Sequence, residues 1–263
     1  MRTHIQRRDA ALTLVDVLIA IVVIMILGAL LLPTLANNNR RPPRIACVSN
    51  MKQSSLAFIV WVHDTEKNNL PYRVDWQDEG TRVPGAAKPA WDGLQNNNWF
   101  QFSWVEKQLE SPKVLVCPSD KKRHVAQNWL ATDPAAGFRH ANQQNKSLSY
   151  DLWMDAGYVN NTLSFENAQE HILISDRHIG YDAVLLGGCS SSVQPIRQVN
   201  GRPPSGTVRW RTISDYGHGA GGGLGLLDGS VTSLSQAGLD DFWRRGDDNG
   251  SLHYLWPSVA GEP

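Results

Sequence analysis

The longest apolar run of the chain lies at its N-terminal end. From Val17 to Leu32 every residue is apolar or glycine, and as a helix rising ~1.5 Å per residue this stretch measures about 24 Å. Counted back to Ala10, with only Thr13 and Asp16 interrupting it, the run reaches roughly 34 Å, enough to cross a hydrocarbon core of ~30 Å with some tilt. Asp16 is the costly member, because a carboxylate deep in a membrane helix costs ~2.5–3.5 kcal/mol on insertion scales. Such a residue asks for a positive partner, and an α-amino group would serve.

The apolar pattern then breaks at 37–44, NNNRRPPR, where Pro42 and Pro43 remove two backbone donors and should kink or interrupt a continuous helix. Helical periodicity resumes with Ile45, Val48, Met51 or Lys52, Leu56, Ile59 and Val60, which predicts a helix from Arg44 to about Val62 whose apolar stripe packs on the rest of the protein. Residues 63–100 are punctuated by Pro71, Gly80, Pro84, Gly85, Pro89, Gly93 and Asn96 to Asn98, and read as loop. A helix is expected over Phe102 to Leu109, then a short buried strand over Val114 to Cys117.

Strands are also expected over Ser147 to Met154 and His171 to Ser175, with a loop from Gly187 to Gly206. Asp228-Gly229, set between Leu224 to Leu227 and Ser230 to Leu234, predicts a hairpin with a type I′ turn. Ala237 to Arg245 reads as a short helix. The elements together define an α+β protein: a long N-terminal hydrophobic helix, kinked or interrupted near Pro33 and Pro42-Pro43, packed on a small antiparallel sheet with long loops.

Charge adds little. Lys plus Arg equals Asp plus Glu at 25 each, so no overall field argues for nucleic acid as a partner. Cys47, Cys117 and Cys189 form no C-x-x-C pair and lie far from any spaced His pair, which argues against a zinc ribbon or a thioredoxin-like site. An exported chain can join two of them; three small buried hydrophobes fit equally. The ten tryptophans supply either core to a loop-rich domain or a stacking platform for a glycan. Asp176-Arg177-His178 invites an acid–base reading, but nothing around it supplies a nucleophile, a metal cluster or a phosphate loop, and a strand-end ion pair is the plainer account. The glycine run 219–223 lacks the Lys-Ser/Thr and the helix of a phosphate cradle, and His218 alone suggests no metal. The residues argue for no enzyme, no catalytic residue, no cofactor and no metal.

The segment RRDAALTLVDVLIAIVVIMILGALLLPTLA resembles the basic leader, processing site and hydrophobic helix of type IV prepilins and pseudopilins. The resemblance implies cleavage between Ala11 and Leu12 by a prepilin peptidase and N-methylation of Leu12. It also casts Asp16 as the acid that pairs with a neighbouring subunit's amine in assembly, and Pro33 as the kink many members share. Ala11 stands where the family usually has glycine, Leu12 where it has phenylalanine and Asp16 where it has glutamate. Further on, RIACVSNMKQSSLAFIVWVHDTEKNNLP, LVCPSD and the H-x9-DG spacing from His218 to Asp228-Gly229 resemble large pseudopilin-like families of Planctomycetes and Verrucomicrobia. Cys47 and Cys117 both lie in such family-like segments, so the resemblance makes them the pair if the head is oxidised, with Cys189 the odd thiol. The role of His218, Asp228 and Gly229 in that motif is open.

The implied organisation is a leader peptide over 1–11, a transmembrane and assembly helix over 12–36, its continuation over 37–62, and a β-containing, loop-rich head over 63–263. The implied function is that of a structural subunit of a type II secretion-like or type IV pilus-like filament. Its partners would be prepilin peptidase, other (pseudo)pilin subunits, membrane lipid and the secretion or pilus assembly machinery. It would sit in the inner membrane by a single pass, with a periplasmic head, or in a filament outside. The N-terminal run fits two plainer roles as well: Arg7 and Arg8 with Thr34-Leu35-Ala36 also suit a secretory signal peptide, and the run also suits an uncleaved signal anchor. A rival from another class is an envelope-anchored module whose tryptophan-rich head binds a glycan or a partner.

Overall fold

The structure, a computed structural model, describes residues 14–36, 41–81, 97–159, 162–181, 196–199, 208–211, 218, 221–245 and 252–259. Ala11, Leu12 and Cys189 lie outside these residues. The chain divides into an N-terminal unit, Met1–Pro42, and a head, Pro43–Pro263.

In the first unit, helix α1 (Leu14–Ala36) runs without interruption through Pro33, with Asp16 in its first turn. From Leu14 to Leu27 every side chain is exposed. Helix α2 (Arg41–Asp64) begins at the polar break. Pro42 and Pro43 therefore fall in its first turn, where backbone N–H groups have no intrahelical acceptor and a φ preset near −65° suits the helix. They lie in the first turn of α2, a helix separate from α1, and residues 37–40 between the two lie outside the described residues.

The head combines short helices with antiparallel sheet. Helices α3 (Asn98–Ser103), α4 (Glu106–Leu109) and α5 (Gln236–Arg245) accompany strands β1 (Tyr150–Trp153), β2 (Tyr158–Val159), β3 (Thr162–Leu163), β4 (Ile172–Asp176) and β5 (Ile179–Tyr181). Strands β6 (Ile196–Val199), β7 (Val208–Trp210), β8 (Gly221–Leu226), β9 (Val231–Ser235) and β10 (Leu252–Leu255) complete the described elements. The main sheet has six strands in the order β6-β10-β1-β4-β8-β9, while β2-β3 and β5-β7 form two-stranded ladders. Every pairing between these described strands is antiparallel. The fold is thus α+β, with an N-terminal helix and a small antiparallel sheet.

Both faces of the sheet are covered, which explains why all four β1 positions and all five β4 positions are buried. On one face Tyr150, Leu152 and Leu173 share a core with Met51, Phe58 and Trp61 of α2. On the other, Trp153, Leu224, Leu226 and Tyr254 pack with Trp210, Leu239 and Trp243. The glycines of β8 set the spacing of these layers. A Cβ at Gly225 would stand 2.2 Å from Ser55 Oγ, and one at Gly222 would stand 2.4 Å from the Trp210 ring. The run is therefore a strand over which a helix and an indole approach the backbone closely.

That contact also corrects the expected face of α2. Cys47, Met51, Ser54, Ser55, Phe58 and Trp61 are buried, whereas Ile45, Leu56 and Val60 are 71%, 38% and 42% exposed. The expected stripe is right at Met51 and at Ile59, which packs against the same core, and misplaced at Ile45, Leu56 and Val60; the position nearest β8 requires small side chains, and serine supplies them. The stretch Arg44–Asp64 has the length and mean hydropathy of a membrane span, but 44% of it is buried within the chain as the core helix of the head.

Three local expectations also change. Pro112–Leu115 forms a 3-10 turn in place of a strand, because Ser111 caps it, its Oγ accepting from Lys113 N, and Pro112 presets the first φ. The single helix expected at Phe102 is two short ones, and the first starts earlier, at Asn98. This asparagine is buried and donates through Nδ2 to Tyr150 O at 2.7 Å, so tertiary bonding overrides its loop preference.

The third change is the hairpin loop. Leu226 N donates to Ser230 O and Gly229 N to Leu226 O, both at 2.9 Å, closing a three-residue loop over Leu227, Asp228 and Gly229. Among the described residues a positive φ falls on Gly229, at 81°, and not on Asp228, so the turn is not type I′. Gly229→Val should lower the melting temperature of the head, since a β-branched residue at positive φ costs on the order of 1–3 kcal/mol. Its Cβ would also meet Leu56 Cδ2 at 2.6 Å. Asp228→Ala should cost less, losing the Oδ1 that accepts from Ser230 N. Equal losses in thermal unfolding would restore the type I′ assignment.

Candidate functional site

Cys47 is the first buried residue of α2 among those whose burial is described, and Cys117 follows the Pro112–Leu115 turn. Their Cα atoms are 4.8 Å apart and the two are joined as a disulfide. Cys117 is fully buried and Cys47 nearly so. Asn50, one turn along α2 from Cys47, donates through Nδ2 to Val116 O at 3.0 Å, so a covalent bond and a hydrogen bond both tie α2 to this segment.

His218 stands against the disulfide, with Nε2 3.1 Å from Cys117 Sγ. A disulfide sulfur carries no proton, so Nε2–H is the donor in that contact. Ser119 Oγ lies 3.7 Å from Cys47 Sγ and donates by the same reasoning. Arg44 Nη2 donates to His218 O at 3.3 Å, which ties α2 to the histidine as well.

Asp120 and Arg177 form the polar floor of the cluster. Arg177 reaches Asp120 in the two-pronged manner of a guanidinium on a carboxylate, Nε to Oδ2 at 2.6 Å and Nη2 to Oδ1 at 2.9 Å. Their side chains are 7% and 0% exposed. Ser149 Oγ donates to Asp120 Oδ2 at 2.9 Å, and Arg177 N donates to Ser149 O at 3.1 Å. Asp176 points elsewhere, its Oδ2 accepting from Gly223 N at 2.7 Å. The ion pair that Arg177 makes at this strand end reaches Asp120, 57 positions away, which nothing in the sequence singles out.

His178 is buried beside this floor. Its Nε2 donates to Gly221 O at 3.1 Å, which assigns the tautomer, and its ring packs on Trp210 at 5.0 Å and on His218 at 6.2 Å between centroids. Burial pushes both imidazoles below their ordinary pKa, and the nearby Asp176 carboxylate opposes the shift in each. Burial likewise pushes the Tyr150 phenol up, reinforced by the charges of Asp176 and Asp120.

Four of the segments singled out in the sequence thus meet at one point: the start of α2, the LVCPSD stretch, the Asp176-Arg177-His178 strand end and His218. The remainder of the H-x9-DG motif does not join them. Asp228 and Gly229 sit beyond the far end of β8, and six strand residues span about 20 Å. His218 belongs to the disulfide cluster, Gly229 to the turn against Leu56, and the motif is a strand with two structural ends. Asp16 and Pro33 lie in α1, in the separate N-terminal unit.

Of the tryptophans, Trp61, Trp99, Trp129, Trp153, Trp210 and Trp243 are buried and Trp76, Trp104 and Trp256 partly so, while Trp91 falls outside the described residues. A groove of about 640 Å³ is lined in part by Trp61, Trp76, Phe100 and Trp104, with Glu79 and Arg139 among its polar residues. Comparison with known proteins found no matching family model, no similar curated protein and no similar solved structure.

Proposed function

We propose that the chain is a pilin-like or pseudopilin-like structural subunit, processed between Ala11 and Leu12 and assembled through α1 into a type IV pilus-like or type II secretion-like filament. The observation that carries this reading is α1 itself. It exposes apolar side chains at every position from Leu14 to Leu27 except Asp16, in the first turn. A surface of that kind is stable in lipid or against other copies of itself, and costly in water. Before assembly the inner membrane holds the helix; afterwards neighbouring subunits cover it, and Asp16 offsets the charge of a neighbour's N-terminus. The exposed Ile45, Leu56 and Val60 of α2 give the head an apolar stripe for the same packing. The Cys47–Cys117 disulfide accords with an oxidising compartment outside the cytoplasm.

The test is the N-terminus of the mature protein, read by mass spectrometry from membranes of the producing cell. The expected product starts at an N-methylated Leu12. A product starting after Ala36 marks a secretory signal peptide, and one starting at Met1 an uncleaved anchor; either outcome contradicts the proposal.

The rival reading, an anchored module that binds a glycan, is favoured by the groove whose lining includes the partly exposed rings of Trp76, Phe100 and Trp104, side chains of the kind that stack on the apolar faces of pyranose sugars. That reading predicts subunits that remain unassembled in the membrane.

A further inference from the structure

We infer that Cys47, Cys117 and His218, once the disulfide is opened, form a binding site for a single zinc-class metal ion. The site is hidden in the oxidised protein because two of its three ligand atoms are bonded to each other. Cys47 Sγ, Cys117 Sγ and a ring nitrogen of His218 all lie within 4.8 Å of one another. Tetrahedral bonds of ~2.3 Å to sulfur and ~2.0 Å to nitrogen place ligand atoms roughly 3.5–3.8 Å apart. Opening the S–S bond and rotating the cysteine side chains therefore reaches a zinc geometry without moving the backbone far. Two thiolates and one imidazole are the donor set of a thiophilic ion, and a fourth position stays open.

The surroundings are already arranged for such an ion. Ser119 Oγ at 3.7 Å from Cys47 Sγ supplies a hydroxyl that can donate to a thiolate, and the Arg44 bond to His218 O fixes the histidine backbone. The two cysteines come from segments separated by 70 residues, and His218 from a third, ahead of β8 in the chain. Sequence spacing consequently gives no metal motif, although the fold assembles one.

The chemistry balances with a dithiol as reductant. It delivers two electrons and two protons to the Cys47–Cys117 bond and leaves as its own disulfide, and each cysteine gains a thiol proton. Metal binding then releases those two protons to solvent, while the Nε2 proton of His218 moves to Nδ1 so that Nε2 can coordinate. A small-molecule disulfide reverses the sequence by thiol–disulfide exchange: it accepts the two electrons, takes up two protons and leaves as two thiols, the Cys47–Cys117 bond re-forms and the ion is expelled. The same three residues hold α2 to the head in either state, by a covalent bond in one and by a metal in the other.

The test uses the full-length chain in detergent with Cys189→Ser, so that the third thiol cannot contribute. The protein is reduced with a dithiol, desalted without oxygen and titrated with cobalt(II), then with zinc(II) in competition. The reduced chain should take up one cobalt ion with a thiolate-to-cobalt charge-transfer band, and zinc should displace it; the oxidised chain should show no band. His218→Ala should weaken cobalt binding by at least about tenfold, with its fold checked in the oxidised form by near-ultraviolet circular dichroism. His218→Cys should restore affinity and strengthen the band by adding a third thiolate. Absence of the band in the reduced chain, equal affinity in His218→Ala, or no recovery in His218→Cys would overturn the site.

Discussion

Replacing Cys47 and Cys117 together by alanine should lower the stability of the head by roughly 4 kcal/mol, most of it through the unfolded state. The cross-link closes a loop of 70 residues, and the loop-entropy relation assigns a closure of that length ~4 kcal/mol at 25 °C. The native side loses less. Cys117 is fully buried, yet alanine removes a single sulfur, and α2 keeps its contacts through Met51, Phe58 and Trp61. Against a total of about 5–15 kcal/mol for an ordinary domain, the loss is a large fraction. Two observables separate this account from simple cavity formation. In urea the midpoint should fall, and the denaturant slope should rise, because the unfolded chain without its cross-link exposes more surface. An unchanged midpoint would mean that the disulfide does not hold α2 to the head.

Arg177→Met should be comparably damaging for a different reason. Asp120 is 0% exposed and receives both guanidinium prongs. Removing Arg177 leaves a buried carboxylate supported by Ser149 Oγ and the Lys122 N–H. Breaking one side of such a pair typically costs ~3–5 kcal/mol, while replacing both partners by apolar groups of similar volume is often close to neutral. The double variant Asp120→Leu with Arg177→Met should therefore be more stable than Arg177→Met alone, a strongly non-additive cycle measured by chemical denaturation. Additive losses would show that the two side chains do not interact.

How far these features are legible in the sequence follows from the range of the interactions behind them. The apolar run of α1, the β4 strand and the Asp228-Gly229 hairpin rest on contacts between near neighbours, which pattern and turn chemistry report directly. The buried stripe of α2 is legible in part: apolar periodicity includes Met51 and the core-packed Ile59, whereas its centre is Ser54 and Ser55, small residues that the close approach of the β8 glycines requires. A scale that counts only apolar side chains passes over them. The turn at Gly229 shows the same limit on a smaller scale, since Asp-Gly announces a tight turn but the neighbouring pairing of Leu226 with Ser230 decides its length. Asp120 with Arg177, and β1 set between β10 and β4, join segments far apart in the chain and leave no local trace. The resemblance carried by the LVCPSD and H-x9-DG segments draws attention to residues that the fold gathers around one disulfide, although it does not say what they do there.

The central claim is that α1 serves assembly, and the behaviour of Asp16 variants tests it most directly. Wild-type, Asp16→Ala and Asp16→Glu chains would be compared by membrane fractionation and by recovery of cross-linked multimers or filaments from the same cells. Alanine removes the costly carboxylate, so insertion should be equal or better, yet multimers should be lost; glutamate keeps the charge with one more methylene and should retain them. An Asp16→Ala chain that inserts and still assembles at the wild-type level would contradict the pairing mechanism and the filament function built on it.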